Sequence, residues 1–129
     1  MSSHAIAMFE KKILLLLSDD NPIQAHPNSW GLIGGQSEEN ETPMETLLRE
    51  FEEEASIRPK SIHFLVKIPN RTNLFLVELS ETEAKNIQLG NEGVALRFFS
   101  LSEFKELPLY HRITHQFPQY LPQLIDCFH

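Results

Sequence analysis

Residues 42–55, TPMETLLREFEEEA, read as one capped helix. Thr42 can cap it, and proline is preferred at the first helical position. Glu45 follows Thr42 by three residues and completes a capping-box pattern. The spacing predicts a helix running to about Ala55, with Arg58-Pro59 just beyond its end. Each helical residue advances about 100° around the axis. Met44, Leu47, Leu48, Phe51 and Ala55 then fall on a single apolar stripe, roughly 60° to 160° from Glu50.

The same geometry sorts the glutamates. Glu50, Glu53 and Glu54 share one face about 100° wide, beside the apolar stripe. Glu45 and Glu52 lie on the solvent side. Like charges at helical spacing destabilise a helix by roughly 0.2–0.5 kcal/mol per pair. Carboxylates near a helix C-terminus also face the wrong end of the dipole. A charge run is more often a solvated face than a site. The alternative is a hard divalent cation among the three carboxylates, since Mg²⁺ takes oxygen ligands and is usually shared with substrate phosphates.

The rest of the chain reads as a sheet with flanking helices. Ala5 to Phe9 and Ile13 to Leu17 are apolar runs of strand length, joined by the polar EKK of a hairpin. The second run is Leu-rich, so a helix is the alternative, but its shortness and the Asp19-Asp20-Asn21-Pro22 stop favour a strand. Residues 19 to 29 read as a loop. Trp30 to Ile33 is a short apolar stretch ending at Gly34-Gly35. Ile62 to Ile68 and Leu74 to Leu79 form a strand pair, and Val94 to Phe99 a further strand. Ser100 or Ser102 caps a short helix through Phe104. The tail from His115 to His129 is helical in part, interrupted by Pro118 and Pro122.

At 129 residues and 41% hydrophobic composition, the chain is expected to form one domain over residues 1–129. Its net charge of −7, with no basic stripe, argues against binding long nucleic acid. An acidic protein still binds a small polyphosphate when metal ions intervene. The apolar runs are too short to span a membrane, and no signal peptide is visible. A lone cysteine, Cys127, excludes an intrachain disulfide. The expectation is a soluble cytoplasmic protein. Oligomeric state is not readable.

The wider stretch GQSEENETPMETLLREFEEEASI, residues 35–57, resembles the signature of the Nudix hydrolases. Gly35, Glu41, Arg49, Glu50, Phe51, Glu53, Glu54 and Ile57 match in register, and Ser56 stands where the family has glycine. Trp30 to Gly35 is similar to the strand entering the signature loop. Asn91-Glu92-Gly93 and the segments after it are similar to the family's later loop, strand and short helix. The resemblance implies an α/β fold, an α/β/α sandwich around a mixed β-sheet.

It also implies an activity: hydrolysis of nucleoside diphosphates linked to another moiety, by water activated with Mg²⁺ or Mn²⁺. Glu50, Glu53 and Glu54 map onto the family's helix ligands, and the Gly35 carbonyl onto a backbone ligand. Glu92 resembles a carboxylate from the later loop that serves as further ligand or base. Glu53 or Glu50 would orient or deprotonate the water. Arg49 and Glu41 would hold loop and helix together by a salt bridge. The family glycine replaced by Ser56 sits where a helix ends, a position that often needs positive φ.

Other residues have plainer readings. His111 and His115 stand four apart, but nearby prolines favour ordinary histidines over a metal pair. Trp30 is more often a packing residue than a base-stacking one, Arg71 and Arg97 are expected to be solvated, and Cys127 packed. Likeness to the MutT-like members points to a (deoxy)nucleoside triphosphate, oxidised ones included, cleaved to monophosphate and pyrophosphate. ADP-ribose or a nucleotide sugar is the alternative substrate, and a silent nucleotide-binding module the alternative class. The base pocket is not encoded in the signature.

Overall fold

The structure, a computed structural model, describes residues 1–17, 30–90, 94–106 and 121–129. The two N-terminal apolar runs form the expected hairpin. β1 (Ser2–Phe9) and β2 (Lys12–Leu17) pair antiparallel, with Ala7 opposite Leu14 and Phe9 opposite Lys12. Glu10 and Lys11 make the turn at φ 49° and 60°. Positive φ at both turn residues matches the twist of a tight hairpin. Neither is Gly or Asn, so flanking strand pairing must hold a turn its own residues disfavour.

β1 organises the sheet because both its edges are used. β6 (Thr72–Glu78) runs parallel along one edge, from Ser2 opposite Thr72 to Met8 opposite Glu78. On the other edge its N-terminal half pairs with β4 (Ile33–Gln36), from Ser2 opposite Gln36 to Ala5 opposite Ile33. β3 (Trp30–Gly31) pairs with the end of β2. β5 (Ile62–Ile68) lies outside β6, and β7 (Ala95–Phe99) pairs with β2. One parallel pairing among antiparallel ones makes the sheet mixed. The β5–β6 connection is shorter than the sequence suggests. It is Pro69-Asn70-Arg71, with Asn70 at φ 61° and the Arg71 amide bonded to the Ile68 carbonyl.

Alternation along β1 divides the core into two layers. Ala5 and Ala7 face α1 (Pro43–Ala55) and pack with Leu14, Ile33, Leu47, Phe51 and Val77. Ile6 and Met8 face the other way, with Ile13, Leu15 and Phe99. That second layer is closed by Phe104 of α3 (Leu101–Glu106), Leu124 of α4 (Leu121–Asp126) and Phe128. Ser100 caps α3, its hydroxyl accepting from the Glu103 amide. Helices on both faces of a mixed sheet give the expected α/β/α sandwich. A further helix, α2 (Glu81–Asn86), follows β6. No helix among the described residues is long and apolar enough to cross a membrane.

The helix predicted at Thr42–Pro43 forms as read, with both arms of its capping box made. One residue of its stripe departs. Met44 is exposed and Leu48 half-buried, whereas Thr46 is fully buried. An angular projection fixes the face of a residue, not how far along its axis a helix stays covered. The burial of α1 starts only at Thr46, so the first turn stands clear. Phe51→Ala is therefore expected to lower unfolding free energy by about 3–5 kcal/mol. Met44→Ala should change it by no more than about 0.5 kcal/mol. Urea denaturation of both variants checks the difference.

Candidate active site

Two consecutive glycines bring β4 against the carboxylates of α1. The Gly34 amide donates to Glu54 Oε1 at 2.9 Å. Gly34 has φ +150°, and a Cβ there would run into the Ser3 carbonyl and the His4 ring. At Gly35 a Cβ would lie 2.6–2.8 Å from the Glu50 carboxylate. Glu50 thus packs directly over the main chain of Gly35, which only a residue without a side chain permits. Glu50 and Glu54 are buried, while Glu53 is partly exposed.

Arg49 joins this strand and helix to the loop between them. Its Nε and Nη2 donate to the two carboxylate oxygens of Glu41 at 2.7 and 3.0 Å. Nη2 also donates to the Gln36 carbonyl at 2.9 Å. Nη1 donates to Glu50 at 2.9 Å and approaches Glu53 at 3.3 Å. The expected Arg49–Glu41 bridge is therefore present, in its bidentate form. Chiefly through Arg49, the Glu41 carboxyl is held down at about 2. Arg49 is in turn held charged well above its ordinary range, by Glu41 first and then Glu50 and Glu53.

The C-terminal end of α1 is closed by residues 88–90. Ser56 is left-handed, at φ 68° and ψ 12°, and its amide bonds to the Glu52 carbonyl. This is the conformation expected where the signature has glycine, and serine there costs on the order of 1 kcal/mol. The Gln88 and Gly90 amides donate to the Ala55 and Glu54 carbonyls, at 3.2 and 3.0 Å. Ser56 Oγ donates to the Gln88 carbonyl at 2.8 Å. The orphan carbonyls of a helix end thereby find partners.

The remaining expected residues sort as follows. Glu52 is exposed and pairs with Arg58 at 3.1 Å. Trp30 packs edge-on against Phe99, ring centroids 4.9 Å apart. Arg97 is exposed, lies over the Phe99 ring and reaches Glu103. Cys127 packs against the second core layer, and burial pushes its thiol up. Glu92, His111 and His115 lie outside the described residues. The Gly34–Glu54 bond and the closure of α1 by residues 88–90 escape sequence reasoning, because both join main-chain atoms to distant segments. α2 also escapes that reading, although Ser80 and Glu83, three residues apart, form a capping box that could have signalled it.

Glu50, Glu53 and Glu54 offer carboxylate oxygens, the donor type hard dications take. Among the described residues, no three acidic, His or Cys side chains already converge as ligands. Arg49 engages Glu50 and Glu53, and the Gly34 amide engages Glu54. Arg49 thus supplies positive charge beside Glu50 and Glu53.

The depressed Glu41 carboxyl has a consequence for pH. Its contribution to stability is fully present above the ordinary value of 4.5 and is lost as pH falls towards about 2. Melting temperature in wild type should fall through this window, and Glu41→Gln should fall less steeply. Calorimetry across the window measures the difference.

A family model for the NUDIX domain matches residues 2–120. No curated protein matches significantly. Among solved structures, the NUDIX domain of Shewanella oneidensis NrtR, complexed with ADP ribose, is similar at TM-score 0.69 and 20% identity. The similarity covers 93% of this chain and 86% of that one. An ADP-ribose pyrophosphatase from Streptococcus suis is similar at TM-score 0.64 and 24% identity, over 97% and 88% of the two chains. A MutT NUDIX hydrolase from Burkholderia pseudomallei is similar at 0.66 and 22%, over 90% and 95%. With the signature in register, the sandwich formed and the family model matched over most of its length, the chain belongs to the Nudix hydrolases, enzymes that act on nucleoside diphosphate derivatives.

Proposed function

We propose that this chain is a divalent-metal-dependent diphosphatase whose substrate is a (deoxy)nucleoside triphosphate, cleaved to monophosphate and pyrophosphate. The observation that supports it best is the placement of Glu54 at the Gly34 amide and Glu50 against Gly35, with Glu53 beside them on the same helix face. Three carboxylates crowd one helix face there, with a single arginine among them. Glu50, Glu53, Glu54 and the Gly35 carbonyl would hold Mg²⁺ or Mn²⁺, with Glu92 as a further donor. A metal held there would supply charge neutralisation at the phosphates and a coordinated water of lowered pKa.

The side chains divide the remaining work. Glu54 is fixed by the Gly34 amide, and Glu50 by Gly35 and Arg49. Both are buried, and both suit a rigid ligand. Glu53 is the most exposed of the three and is open to solvent water. It is therefore our choice for the group that orients or deprotonates the attacking water. Arg49 orients the carboxylates and, through Glu41 and the Gln36 carbonyl, the loop beside them.

A second reading keeps the mechanism and changes the substrate to ADP-ribose or a nucleotide sugar. The fold likeness to an ADP-ribose-bound domain and to an ADP-ribose pyrophosphatase favours it. One assay separates the two. The protein is incubated with Mg²⁺ and canonical or oxidised triphosphates, ADP-ribose, nucleotide sugars and dinucleoside polyphosphates, and products are read by phosphorus NMR. Pyrophosphate plus monophosphate is the expected result; monophosphate plus a sugar phosphate moves the substrate. Glu53→Gln should reduce kcat by roughly 10²–10⁴. Chelator should abolish turnover. Turnover that survives both would sink the metal mechanism.

A further inference from the structure

Glu53 and Glu54 stand in the last turn of α1, where a helix frays most easily and where their charges face the negative end of the dipole. Residues 88–90 lie against that turn. The Gly90 amide bonds to the Glu54 carbonyl, and the Gln88 amide to the Ala55 carbonyl. A Cβ on Gly90 would collide with the Glu53 carbonyl, so this approach is open only to glycine. Two N–H groups therefore sit at the helix end, and their dipoles oppose the misplaced charge of the glutamates. Ser56 adds a link that glycine at that position would lack, from its hydroxyl to the Gln88 carbonyl at 2.8 Å. The serine keeps the left-handed backbone at φ 68° in spite of its strain.

We propose that Ser56 is a positioning residue: its hydroxyl latches residues 88–90 onto the last turn of α1 and so sets how tightly Glu53 and Glu54 bind a divalent cation. The inference rests on the metal reading given above. The latch acts through the main chain of the turn that carries the ligands. Backbone strain and ligand alignment are thereby opposed at one residue. Glycine would relieve the strain and release the latch. Alanine would keep the strain and release the latch.

That opposition makes the idea testable without turnover. Mn²⁺ is titrated into wild type, Ser56→Gly and Ser56→Ala, and free Mn²⁺ is followed by electron paramagnetic resonance with no substrate present. Thermal midpoints of the metal-free proteins are measured in parallel. Both variants should bind Mn²⁺ roughly tenfold more weakly than wild type. Ser56→Gly should nevertheless melt above Ser56→Ala. Equal affinity in wild type and Ser56→Gly would overturn the latch. So would a loss of affinity that merely tracks the melting temperatures of the two variants. If wild type itself binds no Mn²⁺, the metal reading fails, and the latch with it.

Discussion

A single guanidinium holds the loop, the strand and the helix of this site in one arrangement. Arg49 contacts Glu38, Glu41, Glu50 and Glu53, and donates to the Gln36 carbonyl at the end of β4. Four carboxylates around one arginine leave the neighbourhood negative. The pairs are not equivalent. Glu41 accepts two short bonds from Arg49, and these are the main cause of its depressed pKa. Glu53 is reached only at 3.3 Å and is partly exposed, so solvent screens that pair most. The geometry thus divides the acids into one firmly committed to Arg49 and others more loosely held.

The carboxylates approach the main chain because side chains are missing at particular places. Gly35 admits Glu50, and Gly90 admits the carbonyl of Glu53. A methyl group at Gly90 would push the 88–90 segment off the helix end, and one at Gly35 would displace the Glu50 carboxylate. The hydrophobic stripe of Leu47, Phe51 and Ala55 anchors α1 to the sheet, and the glycines then set how near its acidic edge comes to backbone donors. Packing places the helix. Close approach sets its chemistry.

This explains which parts were legible in the sequence. The capping box of Thr42 and Glu45, the stripe at Leu47 and Phe51, and the acidic face are local patterns with a fixed period, and they formed as read. The hairpin was legible from its apolar runs, though not from its turn, since Glu10 and Lys11 lack turn chemistry. Ser56 was legible as a departure, because a helix end demands a left-handed residue whatever stands there. The Gly34–Glu54 bond was not, because it spans 20 residues and involves a backbone donor that every residue but proline has. Met44 misled because a helical wheel carries no information along the axis.

Electrostatics then narrows what the site can do. The chain carries a net charge of −7, and any nucleotide brings more negative charge to it. Arg49 cannot neutralise a phosphate while its donors hold Glu41, Glu50 and the Gln36 carbonyl. Releasing it would leave Glu50, largely removed from water, without that counter-charge. On the metal-dependent reading proposed above, a dication would meet both difficulties, since it would bring the acids and the phosphate a positive charge that Arg49 does not have free. On that reading the acidic face on α1 is a place where positive charge would be borrowed from solution, with Arg49 holding Glu50 and Glu53 in line.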